Sequence, residues 1–344
     1  MSAIRRRKSS HLELCATRDV EGRGGTLLDE VHLLHDALPE LSLAEVDLSA
    51  LVLGRRLQAP VLISGMTGGT QEAGELNRAL ATAAQKFGLG MGVGSQRAML
   101  EAPEATASYR VREVAPDILL LANLGAVQLR DAGPEAALRL VGAIGADALC
   151  VHLNPAQELV QDEGDRDFRG CLAAIAGLPA ALPVPVVVKE TGCGLARPVL
   201  ERLRAAGVEW VDVSGAGGTS WTGVEALRGS PRQRALGEEL REWGIPTAAC
   251  LVHARRAGLR AIASGGIRSG LDAARALALG AEAVSLALPF LRAHREGGLS
   301  GLLQETERLL ESLRAICLLT GSARASALRD APRTLGPRLR AWLA

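Results

Sequence analysis

Eight short apolar runs, at residues 60–64, 90–93, 118–123, 148–152, 184–189, 210–214, 261–264 and 283–287, each lead into an Ala/Leu-rich amphipathic stretch. Alternation at this spacing is the signature of repeated strand–helix units. Eight such units predict an α/β fold, a closed parallel TIM (β/α)8 barrel. The spacing places the intervening helices at 72–87, 103–114, 134–143, 168–177, 196–206, 235–257 (interrupted at 244–246), 269–279 and 288–295. A doubly wound open sheet alternates in the same way but gathers its chemistry at one switch point. Here nearly every run ends in a polar or glycine-rich segment, among them Met66-Thr-Gly-Gly69, Gly94-Ser-Gln-Arg97, Asn123-Leu-Gly125, Lys189-Glu-Thr-Gly192 and Ser264-Gly-Gly-Ile-Arg268. In a barrel all eight ends share one mouth. The expected organisation is one barrel domain over 1–344, with an N-terminal arm and short elements at 1–58, the barrel at 59–298 and a closing helical tail at 299–344.

Charge and composition narrow the partners. The 39 basic and 38 acidic side chains nearly cancel, so no global field favours nucleic acid or an anionic membrane. Aromatic residues make up only 2% of the chain, which argues against base-stacking surfaces. No apolar run approaches the roughly 18 residues of a membrane span, and the Arg-rich start leads into polar sequence instead of a signal-peptide core. A cytoplasmic protein acting on a small molecule is the expectation. The six cysteines form no CxxC pair and are read as free thiols.

Within this frame, His152-Leu-Asn154-Pro-Ala-Gln157-Glu158 carries the densest chemistry. Imidazole and amides suit hydrogen bonding to one small ligand, and the carboxylate suits a hard cation such as Mg²⁺. The alternative is a helix-capping loop, with Asn154 as N-cap and Glu158 in the first turn. Ala263-Ser-Gly-Gly-Ile-Arg-Ser-Gly270 after the seventh run, Gly215-Ala-Gly-Gly-Thr-Ser220 after the sixth and Ala287-Leu-Pro289 after the eighth match the place where barrels bind phosphate through backbone N–H groups. Only three of the 39 basic residues are lysine, at 8, 86 and 189. Lys86 suits a helix C-terminus. Lys189 ends the fifth run, facing a cofactor or paired with Glu190 or another acid. The arm Arg5-Arg6-Arg7-Lys8 is a solvated tail unless it joins Arg97 in clamping a second phosphate group.

Taken in order, Arg7-Lys8 with His11, Met66-Thr-Gly-Gly69, Gly92-Val-Gly-Ser-Gln-Arg97, Asn123-Leu-Gly125, His152 through Glu158, Val188-Lys-Glu190, Gly217-Gly-Thr-Ser-Trp221 and Ala263-Ser-Gly-Gly-Ile-Arg268 resemble the type 2, FMN-dependent isopentenyl-diphosphate Δ-isomerases over nearly the whole chain. The first 58 residues otherwise match weakly, and the extra arginines before Arg7 depart from the pattern. The resemblance implies conversion of isopentenyl diphosphate to dimethylallyl diphosphate with reduced FMN, Mg²⁺ and NADPH as reductant, in a homo-oligomer of four or eight chains. It implies that Gly65, Met66, Thr67, Ser95, Asn123, Lys189, Ser214 and Thr219 contact FMN, with the backbones of Gly266, Ile267, Arg268, Ala287 and Leu288 at its phosphate. By the same resemblance Arg7, Lys8, Ser95, Gln96, Arg97, His152, Asn154 and Gln157 bind substrate, and Glu158 holds the metal. His152, Asn154, Gln157, Glu158 and Lys189 are the implied catalytic set. Glu225 is either a proton relay or an ordinary exposed helix carboxylate.

Two other functions fit a flavin barrel. A 2-hydroxy-acid oxidase pattern wants His and Arg after the sixth strand, where this chain has Ala216-Gly-Gly-Thr219; His253-Ala-Arg-Arg256 falls in an expected helix. A non-catalytic flavin-binding protein has no use for the intact His152, Asn154, Gln157 and Glu158.

Overall fold

The computed structural model describes residues 3–344, with side chains from Arg7 onward; Arg5 and Arg6 of the basic arm lie, as side chains, outside the described residues. Eight parallel strands close a barrel in chain order: β1 (Val61–Ile63), β2 (Gly90–Gly92), β3 (Leu119–Gly125), β4 (Ala148–Leu153), β5 (Val186–Glu190), β6 (Trp210–Asp212), β7 (Arg260–Ala263) and β8 (Ala283–Leu286). All eight fall on the expected runs, and β8 pairs with β1 to complete the ring. Strand residues alternate between faces. Leu62, Leu119, Leu121, Ala148, Cys150, Val187, Trp210, Ile262 and Ala283 therefore share the interior and form one buried cluster. Val52, Leu53 and Leu57 join them from the hairpin Ala50–Val52/Arg55–Leu57, which stoppers the N-terminal end of the barrel.

The surrounding helices follow local signals. In the helix Gln71–Phe87, Thr70 Oγ1 accepts from Ala73 N at 3.1 Å, and Gly88 ends the helix at φ 61°. That left-handed conformation is what a C-terminal glycine supplies. Several helices depart from expectation. The arm is a helix, α1 (Ala3–Thr17). At 103–114 there is instead a 3-10 segment, Pro103–Tyr109, preceded by a short α-helix, Arg97–Glu101, because Pro103 interrupts the backbone ladder. Two short helices lie outside the repeating units: α2 (Pro155–Val160), which takes up the second half of the His152 motif with Asn154 at its N-cap position, and α3 (Trp221–Arg228), started by Ser220 Oγ accepting from Gly223 N. The helix expected at 288–295 continues, with a break at Gly297–Gly298, to form α4 (Leu288–Leu319).

The ends of the chain meet outside the barrel, where Val31–Leu33 pairs antiparallel with Arg333–Leu335. Among the described residues, no helix is long and apolar enough to cross a membrane. Leu302, Leu309 and Leu313 of α4 are buried in the main core. Leu313→Ala should therefore lower the unfolding free energy by about 2–5 kcal/mol, read as a shift in the chemical denaturation midpoint. An unchanged midpoint would mean that the tail does not share the core.

Candidate active site

The same period of two that fills the barrel with apolar layers determines what faces its mouth. Two positions beyond Leu62, Leu121, Cys150, Val187, Trp210, Ile262 and Ala283 stand Ser64, Asn123, His152, Lys189, Asp212, Ser264 and Ser285. The top interior layer is thus polar, and its members bond to one another. His152 Nδ1 lies 2.8 Å from Asn123 Oδ1, whose amide nitrogen donates to Val93 O at 3.1 Å. Ser64 and Ser285 hydroxyls are 2.5 Å apart, Lys189 Nζ is 3.6 Å from Asp212 Oδ2, and Ser264 Oγ donates to Asp212 Oδ1. Asn123 Oδ1 can only accept, so His152 carries its proton on Nδ1 and turns a bare Nε2 outward. Burial, then the nearby Lys189 and Lys8 charges, hold His152 down at about 4. It is a neutral imidazole at physiological pH.

Above this layer, α1, α2 and α3 wall the cavity. α2 presents the motif expected as a ligand-bearing loop, and Asn154 does occupy the N-cap position. Its side chain does not cap the helix, though: Nδ2 donates to Gln157 Oε1 at 3.2 Å and to Glu158 Oε1 at 2.9 Å. Glu158 Oε2 accepts from Asp165 N at 2.8 Å. Gln157 Nε2 donates to Glu225 Oε1 at 3.1 Å, and His11 Nε2 reaches the same oxygen at 2.8 Å. Arg228 pairs with the other oxygen at 2.5 Å. In the amide orientation that satisfies both of its ends, Gln161 donates to Glu225 at 3.3 Å and accepts from Arg7 at 2.7 Å. Glu225 is therefore not an exposed helix carboxylate: it is 2% exposed and ties α1, α2 and α3 together. Burial alone would raise its carboxyl, but the His11 and Gln157 bonds and the Arg228 charge outweigh this and hold it below the ordinary range.

From α1, Lys8 Nζ donates to Tyr109 Oη at 2.8 Å and to Ser95 O at 3.0 Å. Burial, then the charge of Arg7, brings its ammonium down to about 7, where an arriving anion would restore full charge. Arg97 is held by Glu101 at 3.1 Å and lies 3.9 Å from Asp165. Opposite, α4 starts at the cavity with Ala287 as N-cap and no side-chain cap bond, so its first N–H groups are available to an anion. Gly266 beside it sits at φ 76°, packed against the Gly217 backbone so closely that a Cβ would collide. Thr67 Oγ1 is buried and finds no partner within the protein, as befits a hydroxyl facing a bound group. A phosphorylated cofactor fits these features.

The cavity collects nearly all the expected residues: Arg7, Lys8, Gly65, Met66, Thr67, Ser95, Arg97, Asn123, His152, Asn154, Gln157, Glu158, Lys189, Ser214, Thr219, Gly266, Arg268, Ala287 and Leu288 line it. One is turned away. Gln96 is fully buried, donating to Leu140 O at 3.1 Å and accepting from Asn123 N at 2.9 Å, so it supports the strand that carries Asn123 and has no surface for substrate. The Ile267 side chain is buried in the core, which leaves its backbone for the contact expected of it. Lys189 and Glu190 point apart as strand alternation requires: Lys189 faces the cavity, while the Glu190 carboxylate accepts from the N–H groups of Thr191, Gly192 and Cys193. His253 bonds Trp342 O on the periphery, away from the cavity. Asp212 and the Glu225 cluster were missed as a connected set; the inward phase of β6 pointed to the first, and the Ser220 cap of α3 to the second. Among the described residues no cluster of three or more His, Cys, Asp or Glu could hold a metal unaided. Glu158 can serve Mg²⁺ only if ligand oxygens and water complete the shell, the usual arrangement for this ion.

Known proteins similar to this chain give its family and fold. The family model of FMN-dependent dehydrogenases matches residues 153–333. The chain is 52% identical to an isopentenyl-diphosphate delta-isomerase of Synechococcus sp., over 98% of this chain and 97% of that relative. It is 46% identical to the enzyme so named from Halobacterium salinarum (98% and 95% covered) and 44% to that of Thermococcus onnurineus (98% and 93%). In fold it is similar to a mandelate oxidase crystallised with 3,3-difluoro-2-hydroxy-3-phenylpropionic acid, at TM-score 0.66 and 21% identity over 95% of each chain.

The depressed His152 pKa has a consequence for stability. The folded chain resists protonation at His152 until about pH 4, whereas an unfolded histidine titrates near 6.5. Stability from this group is fully present above 6.5 and is lost as the pH falls from 6.5 toward 4. Denaturation midpoints measured across that interval should fall, and His152→Asn should flatten the decline; an equal slope in both proteins would contradict the neutral imidazole.

Proposed function

Because the chain belongs to the family of FMN-dependent isopentenyl-diphosphate delta-isomerases, we propose that the barrel mouth takes up reduced FMN, Mg²⁺ and isopentenyl diphosphate and rearranges the substrate to dimethylallyl diphosphate by a 1,3-allylic proton shift. One observation carries this reading: Arg7, Lys8, Arg97, Lys189 and Arg268 converge on a cavity whose only lining carboxylate among the described residues is Glu158, the acids paired with Arg7, Arg97, Lys189 and Arg268 (Glu163, Glu101, Asp212 and Glu21) standing outside the lining. Cations gathered on one cavity with their counter-charges behind them favour anionic ligands. A cofactor phosphate and a substrate diphosphate supply them.

The roles divide by position. The start of α4 with Gly266, Arg268 and Thr219 would seat the cofactor phosphate, and Lys189 would lie beside the ring with Asn123, Ser214 and Thr67. At the other wall, Arg7, Lys8 and Arg97 would clamp the diphosphate, with Ser95, His152 and Asn154 completing its contacts. Glu158 would hold Mg²⁺ against diphosphate oxygens. FMN, kept reduced by NADPH, supplies the proton-transfer group and the electron-rich face that makes protonation of an unactivated alkene feasible. Gln157, fixed at both ends of its amide by Asn154 and Glu225, would orient the groups near C2, where a proton leaves as another is delivered to C4. Leu12, Met66, Trp221 and Leu291 line the same cavity and exclude water, which strengthens each electrostatic contact within it. Homo-oligomeric assembly and a cytoplasmic location belong to the same reading.

Incubation with FMN, NADPH, Mg²⁺ and isopentenyl diphosphate under anaerobic conditions tests it: dimethylallyl diphosphate should accumulate without net loss of reduced flavin. Stoichiometric flavin oxidation would favour an oxidoreductase instead. Gln157→Glu and Glu158→Gln should each cut turnover by roughly 10²-fold, the scale on which positioned proton-transfer and metal-holding groups act, while leaving FMN binding intact. The second should also weaken the dependence of rate on Mg²⁺. Wild-type rates in both variants would sink the assigned roles.

A further inference from the structure

β4, β5 and β6 run in register, with His152 beside Lys189 and Lys189 beside Asp212. A neutral imidazole, an ammonium and a carboxylate therefore stand in one row across the floor of the cavity. His152 and Lys189 line the cavity; Asp212, 5% exposed, belongs to the same layer but does not line the space, which it meets through Lys189 and Ser264. No step assigned above uses it. A carboxylate buried at that depth is expensive unless charge and hydrogen bonds compensate it. Its compensation comes from both sides: Ser264 Oγ donates to Oδ1, and the Lys189 ammonium lies 3.6 Å from Oδ2. That separation is too long for a hydrogen bond but close enough for strong Coulomb coupling in a shielded site. Lys189 Nζ spends a donor on Glu190 O at 2.9 Å, which leaves it anchored to backbone on one side and drawn toward Asp212 on the other.

We propose that Asp212 is a positioning residue for Lys189, a buried counter-charge that holds the ammonium at the level of the cofactor ring and offsets part of the positive field the ring senses. The inference rests on the reading that FMN lies against Lys189. Its consequence concerns reduction of the cofactor, not substrate binding. A bare cation at this position would stabilise electrons and negative charge on the ring more strongly than an ammonium–carboxylate pair does. Asp212 thus keeps the bound flavin harder to reduce than Lys189 alone would make it.

The test is the midpoint potential of FMN bound to the full chain, measured by anaerobic equilibration with a reference dye. Asp212→Asn should favour the reduced form about tenfold, a rise of about 30 mV for a two-electron couple. Asp212→Glu, which keeps the charge, should stay near wild type, and Lys189→Met should move the potential the opposite way. Should the Asn variant fail to fold, Asp212→Ser removes the same charge with a smaller side chain and must show the same rise. A potential unchanged in the charge-removing variants, or lowered as in Lys189→Met, overturns the counter-charge role while the FMN reading stands. If the wild-type chain takes up no FMN, that reading fails and the inference with it.

Discussion

The site depends on the two-residue period of strands closed into a ring. Alternation commits every second side chain to the barrel interior whatever its chemistry, so the level at which apolar residues give way to polar ones becomes the floor of the cavity. Here the change comes in one step, from Leu121, Cys150, Val187, Trp210 and Ile262 to Asn123, His152, Lys189, Asp212 and Ser264. Polar groups at that depth must find partners, and they find them in one another and in the backbone. A floor assembled in this way is rigid before any ligand arrives.

The wall over this floor has a different origin. α1, α2 and α3 come from distant parts of the chain and contribute no barrel strand, yet the Glu225 carboxylate draws His11, Gln157 and Arg228 onto one point. Because Gln157 is held there and Asn154 bridges Gln157 to Glu158, the groups assigned to proton transfer and to the metal are mechanically connected. Burial keeps His152 neutral and brings Lys8 down to about 7, while the carboxylate between the helices stays ionised against its burial through its bonds to His11 and Gln157 and the Arg228 charge. The cavity is prepared for anions by cations that its own acids only partly satisfy.

Much of this was legible in the residues. The eight runs gave the barrel because hydrophobic periodicity is a local property, and the polar strand ends gave the mouth because a barrel leaves them nowhere else to face. The scarcity of lysine pointed to Lys8 and Lys189, both of which line the cavity. What could not be read was direction. Gln96 sits between two residues that do line the cavity, but its amide turns inward to Leu140 and Asn123. Asn154 had the position of a helix cap, while its amide found better acceptors in Gln157 and Glu158.

Sequence by itself determined the alternation of elements, the polarity of each strand end and the excess of cations among the motif residues, because these depend on residue type and spacing alone. Tertiary structure decided which of those residues meet. Glu225 looked like a carboxylate on a solvated helix until α1 and α2 packed over it, and Asp212 was one acid in a strand until ring closure set it beside Lys189. Both outcomes come from contacts between segments far apart in the chain, whose energies depend on distance and on the exclusion of water, and neither quantity exists before the barrel closes.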